Sequence, residues 1–118
     1  MSRHCAAMNR SARRSSASPP ARGALVMLVF EDAEVLDIAG PLDILCAAAV
    51  RDPRVRRRPL RVSERGSLVR TYPSGIALDS QALAAVTRTV IDTLLVPGGQ
   101  GVEQALQRPA LIKYRSRF

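Results

Sequence analysis

The sequence predicts an α/β domain built on a parallel sheet, and three stretches carry that prediction. Residues 90–96 (VIDTLLV) form an apolar run broken only by Asp92 and Thr93 and stopped by Pro97-Gly98-Gly99. A run of that length, ended by Pro and Gly, reads as a strand covered on both faces, as strands of a parallel sheet are. Residues 24–30 (ALVMLVF) repeat the pattern near the start of the chain. Between them, Ile38, Leu42, Leu45 and Ala49 recur at the spacing of a helix that buries one face. Strand, helix, strand in that order is the unit from which parallel sheets are made.

The elements follow in chain order. Residues 1–22 are rich in Ser, Ala, Arg and Pro, carry five arginines and no acid, and show no hydrophobic periodicity. They are expected to be a disordered basic tail. The Arg- and Ser-rich start resembles an organellar transit peptide without an amphipathic face, and it lacks the apolar centre of a secretory signal. Residues 24–30 are the first strand and 31–34 an acidic connection. A helix follows and ends near Val50, with Pro41 in its first turn, where a missing N–H is tolerated. Asp37 then lies at the strand-to-helix junction, near the positive end of the helix. That places it on the same sheet edge as Gly98 and Gly99, where open α/β sheets bind ligands.

Residues 51–58 form a basic loop and 60–63 a strand. Gly66-Ser67 turns the chain, and 68–72 is expected to return antiparallel. Ser74-Gly75 turns it again, 76–78 reads as a short extension, and Asp79 or Ser80 as the cap of a short helix through Val86. Residues 91–96 are the central strand. Two helical segments close the chain, 101–107 and 109–117, the second with Pro109 in its first turn.

Composition bounds what this domain does. The 118 residues suffice for one small domain. With aromatic residues at 3%, its core must come from Leu, Val, Ile and Ala. No apolar run is long enough to cross a membrane. Cys5 and Cys46 are the only cysteines, one in the tail and one in the apolar helix. This argues against a disulfide framework or a zinc site and for a reducing, cytoplasmic setting, with no metal or cofactor. The net charge of +8 is local. Five positive charges lie in the tail, and eight arginines between 51 and 70 face only Asp52 and Glu64. No aromatic residues interleave with them for base stacking, so Arg56, Arg57 and Arg58 read as a solvated surface, with nucleic-acid binding as the alternative.

Taken together, LVF at 28–30, LDIAGPLDIL at 36–45, SGIAL at 74–78, DTLLVPGGQGV at 92–102 and RPALIKYRSR at 108–117 resemble the ThiJ/PfpI family, of the class I glutamine-amidotransferase-like fold. Within it the likeness is to isonitrile-hydratase-like proteins and to the sensor domains of AraC-type transcriptional regulators. It covers about residue 24 to the end. The resemblance implies a flavodoxin-like parallel sheet with helices on both faces, of which residues 23–118 are a partial domain. It also implies an acid on the first helix, here Asp37, that hydrogen-bonds a reactive cysteine. Backbone N–H groups of the glycine turn, here Gly98 and Gly99, would help form a ligand or oxyanion pocket. A carboxyl beside a thiolate tunes its pKa, and fixed N–H donors stabilise developing negative charge.

The elbow cysteine belongs on a strand after the Pro109 helix, which these residues do not include. The domain is therefore expected to be truncated before its nucleophile-elbow strand. Cys46 reads as a small buried apolar residue, and the single histidine, His4, lies in the tail. Apart from the resemblance, Asp37 reads as an ordinary helix N-terminal acid, so its role stays open between the two. The expected function is that of a ligand-sensing domain of an AraC-type regulator, non-catalytic by itself. The resemblance also implies a small-molecule ligand, a homodimer, no membrane partner, and DNA contact only through a module outside these residues. The alternative is the front half of an isonitrile-hydratase- or amidase-like enzyme. Without the next strand, the edge of 90–96 stays open, which predicts self-association.

Overall fold

The structure, a computed structural model, describes residues 23–52, 54 and 59–116. The expected tail, 1–22, and the arginines at 56–58 lie outside them. The described chain runs β1 (Ala24–Leu28), α1 (Val35–Arg51), β2 (Leu60–Ser63), β3 (Ser67–Arg70), β4 (Ala77–Ala82), α2 (Leu83–Val86), β5 (Ile91–Leu95), α3 (Val102–Leu106) and α4 (Pro109–Arg115). It is an α/β fold around one five-stranded, mostly parallel sheet of order β3-β4-β2-β1-β5.

β1 is an inner strand of the parallel part. It pairs in parallel with β2, Val26 opposite Leu60, and with β5, Val26 opposite Leu94. The strands expected near residues 24, 60 and 90 thus share one sheet. Val26, Met27, Leu28 and Val29 are all buried, so side chains on both faces of β1 are covered. This is why the stretch is apolar without alternation. Ile38 of α1 and Leu111 and Tyr114 of α4 complete the same core cluster. Pro109 opens α4 as expected, its missing N–H falling where the helix has no partner for one.

The region between β2 and β5 departs from the sequence reading. Asp79 and Ser80 do not cap a helix; both lie inside β4, a six-residue strand where a three-residue extension was expected. Along β4 exposed and half-buried residues alternate, and this period of two outweighs the capping chemistry of Asp and Ser. The short helix starts only at Leu83, without a side-chain cap. β3 is antiparallel as expected, but its partner is β4, with Ser67 opposite Ser80 and Arg70 opposite Ala77. β2 instead takes β4 as a parallel neighbour, Val62 opposite Gln81. Arg61 fixes this insertion by donating from Nε to the Asp79 carbonyl at 2.9 Å and from its guanidinium to the Asp79 carboxylate at 2.6 Å.

A second correction concerns α1. The helix begins at Val35, so Pro41 is its seventh residue and stands in the interior rather than the first turn. Pro41 therefore cannot return a hydrogen bond to the carbonyl of Asp37, one turn back. Cys46 is half-buried rather than fully so.

β5, expected to be the central strand, is instead an end strand of the sheet, and the two valines that flank it, Val90 and Val96, are exposed. Among the described residues no strand pairs with the outer edge of β5.

Candidate functional site

The site is built where two loops leave the carboxyl ends of neighbouring parallel strands. The first, 29–34, joins β1 to α1, and the second, 96–101, joins β5 to α3. Three hydrogen bonds tie the second loop to the first and to the start of α1. The Glu34 N–H donates to the Gly98 carbonyl at 2.9 Å, and the Gly101 N–H to the Asp32 carbonyl at 2.9 Å. The third uses a side chain: the Gly98 N–H donates to Asp37 Oδ2 at 2.9 Å. Gly98 is thus gripped at both its N–H and its carbonyl by the start of α1.

The glycines of the second loop are dictated by this approach. Gly99 has φ +120°, and a Cβ on it would overlap the Glu34 nitrogen and the Ala33 carbonyl carbon. Gly101 has ordinary φ, but a Cβ there would overlap the Glu31 carbonyl oxygen. Any side chain at either position would push the loops apart.

The β3–β4 hairpin supports the first loop. The Asp32 N–H donates to the Arg70 carbonyl at 2.8 Å, and the Tyr72 N–H to the Ala33 carbonyl at 3.3 Å. Arg70 in turn donates its own N–H to the Glu31 carboxylate at 3.3 Å. Nothing in the sequence pointed to this brace, because it joins backbone groups far apart in the chain.

The structure brings Asp37, Gly98 and Gly99 to one place, as the sequence placed them. Asp37 is exposed, and a carboxylate that takes one hydrogen bond has capacity for further donors. The Gly98 N–H is committed to Asp37 in this conformation rather than aimed outward. Cys46 does not join them: nine residues on from Asp37, it lies about 13 Å along α1 and on the opposite side of the helix. Among the described residues no group of three His, Cys, Asp or Glu could hold a metal ion. None of their helices is long and apolar enough to cross a membrane.

Beside the loops lies a groove of about 640 Å³ whose lining includes Phe30, Glu31, Arg65, Gly101, Arg108 and Leu111. Asp37 and Gly98 are not part of it. It shares with the clamp the backbone of Glu31 and Gly101. On its rim Arg108 Nε donates to Glu64 Oε2 at 2.7 Å and joins the β2–β3 turn to the start of α4. Hydrogen bonding to Arg108 holds the Glu64 carboxyl below its ordinary 4.5, and burial opposes this only in part. A lowered folded-state pKa stabilises the fold above the unfolded pKa, and that stability is lost as pH falls through the folded value. Glu64→Gln is therefore expected to be less stable than the parent at neutral pH, with the gap closing as the pH drops below about 4.5. Urea melts of both proteins at neutral and acid pH would show it, and a gap independent of pH would refute it. The effect should be small, because Arg108 is about half exposed and water screens the pair.

No protein-family model matches the chain, and no curated protein matches it.

Proposed function

We propose that these residues form a ligand-sensing domain of the ThiJ/PfpI type, flavodoxin-like in plan, that binds a small molecule at the Asp37–Gly98 edge without turning it over. On this reading it serves an AraC-type transcriptional regulator, whose DNA contacts are made by a module outside residues 1–118. The observation that carries the proposal is the hydrogen bond from the Gly98 N–H to Asp37 Oδ2. It joins an acid on the first helix to the Pro-Gly-Gly turn at the carboxyl edge of a parallel sheet, where the sequence resemblance puts them. The binding-only reading rests on the residues at hand. The site offers a carboxylate and a polarised amide, and the hydrogen bonds given for Asp37 and Gly98 join them to each other and to Glu34 without a thiol, hydroxyl or imidazole.

The test uses three probes, cyclohexyl isonitrile, L-glutamine and acetamide. The expected result is a saturable shift of the Gly98 amide resonance with at least one of them, and no formamide or ammonia above the protein-free rate. Asp37→Asn should weaken that binding about tenfold, or about 1.4 kcal/mol. Product formation that Asp37→Asn abolishes would establish the hydrolytic alternative. No saturable shift with any probe would overturn the sensing reading.

A further inference from the structure

The groove beside the clamp carries its own set of charges. Its floor is apolar: Phe30, Val69 and Leu111 line it and are buried, with Ala105 half-buried beside them. A volume of about 640 Å³ is that of a small-molecule site. Buried Ser63 also lines it, but its hydroxyl is spent on Ser80 and on the Gly66 N–H. The charged residues of the lining are two acids, Glu31 and Glu64, and two arginines, Arg65 and Arg108. They balance in number but not in what they already hold. Arg108 Nε is taken by Glu64, and its other side-chain N–H groups make no hydrogen bond among the described residues. The Arg65 guanidinium makes none either, although it lies close enough to Glu64 to help hold that carboxyl down. Two cations therefore face one anion there, with donors to spare.

Glu31 is the converse. Its carboxylate accepts only the backbone N–H of Arg70, at 3.3 Å. The Arg70 guanidinium donates instead to the Gly75 carbonyl, at 3.1 Å. No cation forms a salt bridge with Glu31 among the described residues. Glu31 meets the groove beside Gly101, whose backbone packs against the Glu31 carbonyl at the start of α3. Arg108 meets it where α4 begins. At 1.5 Å per residue the chain rises about 10 Å between Gly101 and Arg108. We propose that the groove binds an extended ω-amino carboxylic acid, its carboxylate on Arg65 and Arg108, its ammonium on Glu31 and its methylene chain on Phe30, Val69 and Leu111. A simple acid would leave Glu31 without a counter-charge, and a simple amine would leave the guanidinium donors unused. A molecule with both ends and an apolar chain between them satisfies the whole lining. The proposal does not rest on ligand sensing at the clamp, because neither Asp37 nor Gly98 lines the groove.

Titration of the full chain with 8-aminooctanoate, followed by amide resonances, tests this. Saturable shifts are expected at Gly66 and Gln104, which line the groove, and not at Gly98. Octanoate and octylamine, each lacking one charged end, should bind at least about tenfold more weakly. Arg65→Gln should weaken 8-aminooctanoate about tenfold. Glu31→Gln should do the same without weakening octanoate, so that the amine no longer helps. Both residues are exposed, and Glu31→Gln keeps an oxygen to accept the Arg70 N–H, so an unchanged cooperative melt will confirm that each variant folds. No saturable shift at Gly66 and Gln104 overturns the proposal. So does octanoate binding the parent as tightly as 8-aminooctanoate does, which would mean a site for simple acids. Binding that neither variant weakens would place the ligand elsewhere and overturn the assignment of its two ends. Groove shifts with 8-aminooctanoate, when no probe saturates the Gly98 amide, would sustain this site while the sensing reading falls.

Discussion

Gly99→Ala is expected to destabilise the fold by about 3 kcal/mol, although Gly99 is on the surface. Two costs combine. The first is conformational: φ at Gly99 is +120°, which a residue with a Cβ rarely adopts. The second is contact: the added methyl would overlap the backbone of Ala33 and Glu34, atoms that cannot rotate aside as the end of a long side chain can. Gly75 separates the two. It also has positive φ, +72°, but a Cβ there meets nothing within 4 Å. Gly75→Ala should therefore show the conformational cost alone, about 1 kcal/mol. Urea denaturation of the two variants gives the comparison directly. Equal losses would mean that the loops yield to the methyl and that the clamp is soft. Loss of the protected Gly98 amide in hydrogen exchange, in Gly99→Ala alone, would place the damage at the site.

Why the structure agrees with the sequence in some places and not in others follows from the range of the interactions. β1 and β5 were legible because covering both faces of a strand leaves a composition, an unbroken apolar run, that needs no partner to be recognised. The Asp37–Gly98 approach was legible at the level of position: both lie just past the carboxyl ends of parallel strands, and adjacent parallel strands put those ends together. The hydrogen bond itself was not, nor was the need for glycine at 101, since both depend on how closely two loops pass. The β3–β4 region failed for a different reason. Asp79 and Ser80 are good caps, and the local chemistry of a cap competes with the alternation of Leu78, Ser80 and Ala82 toward one face. Strand pairing on two sides of β4, with β3 and with β2, decides the contest. Pro41 shows the same limit. A proline reads as a first-turn residue, yet α1 starts six residues earlier because Glu34 is held by Gly98 across the sheet edge.

Ile38→Ala is the other substitution expected to have a large effect, about 3 kcal/mol. Ile38 is fully buried, and it is the one residue of α1 that is. A helix of seventeen residues is therefore anchored on the sheet chiefly by one side chain, with Leu42 and other half-buried residues beside it. Truncation would leave a cavity under the first turn, next to Asp37, and the helix could close it only by shifting against the loop that holds Gly98. Ile44→Ala is the contrast, removing a similar number of methyl groups from the same helix. In the isolated protomer Ile44 is exposed, and its loss should cost within about 0.5 kcal/mol. Urea melts of the two variants beside the parent give the comparison directly, with the loss confined to Ile38→Ala. If Ile38→Ala unfolds no more easily than Ile44→Ala in dilute solution, α1 is not anchored through Ile38, and the position of Asp37 must be set by the Gly98 contact alone.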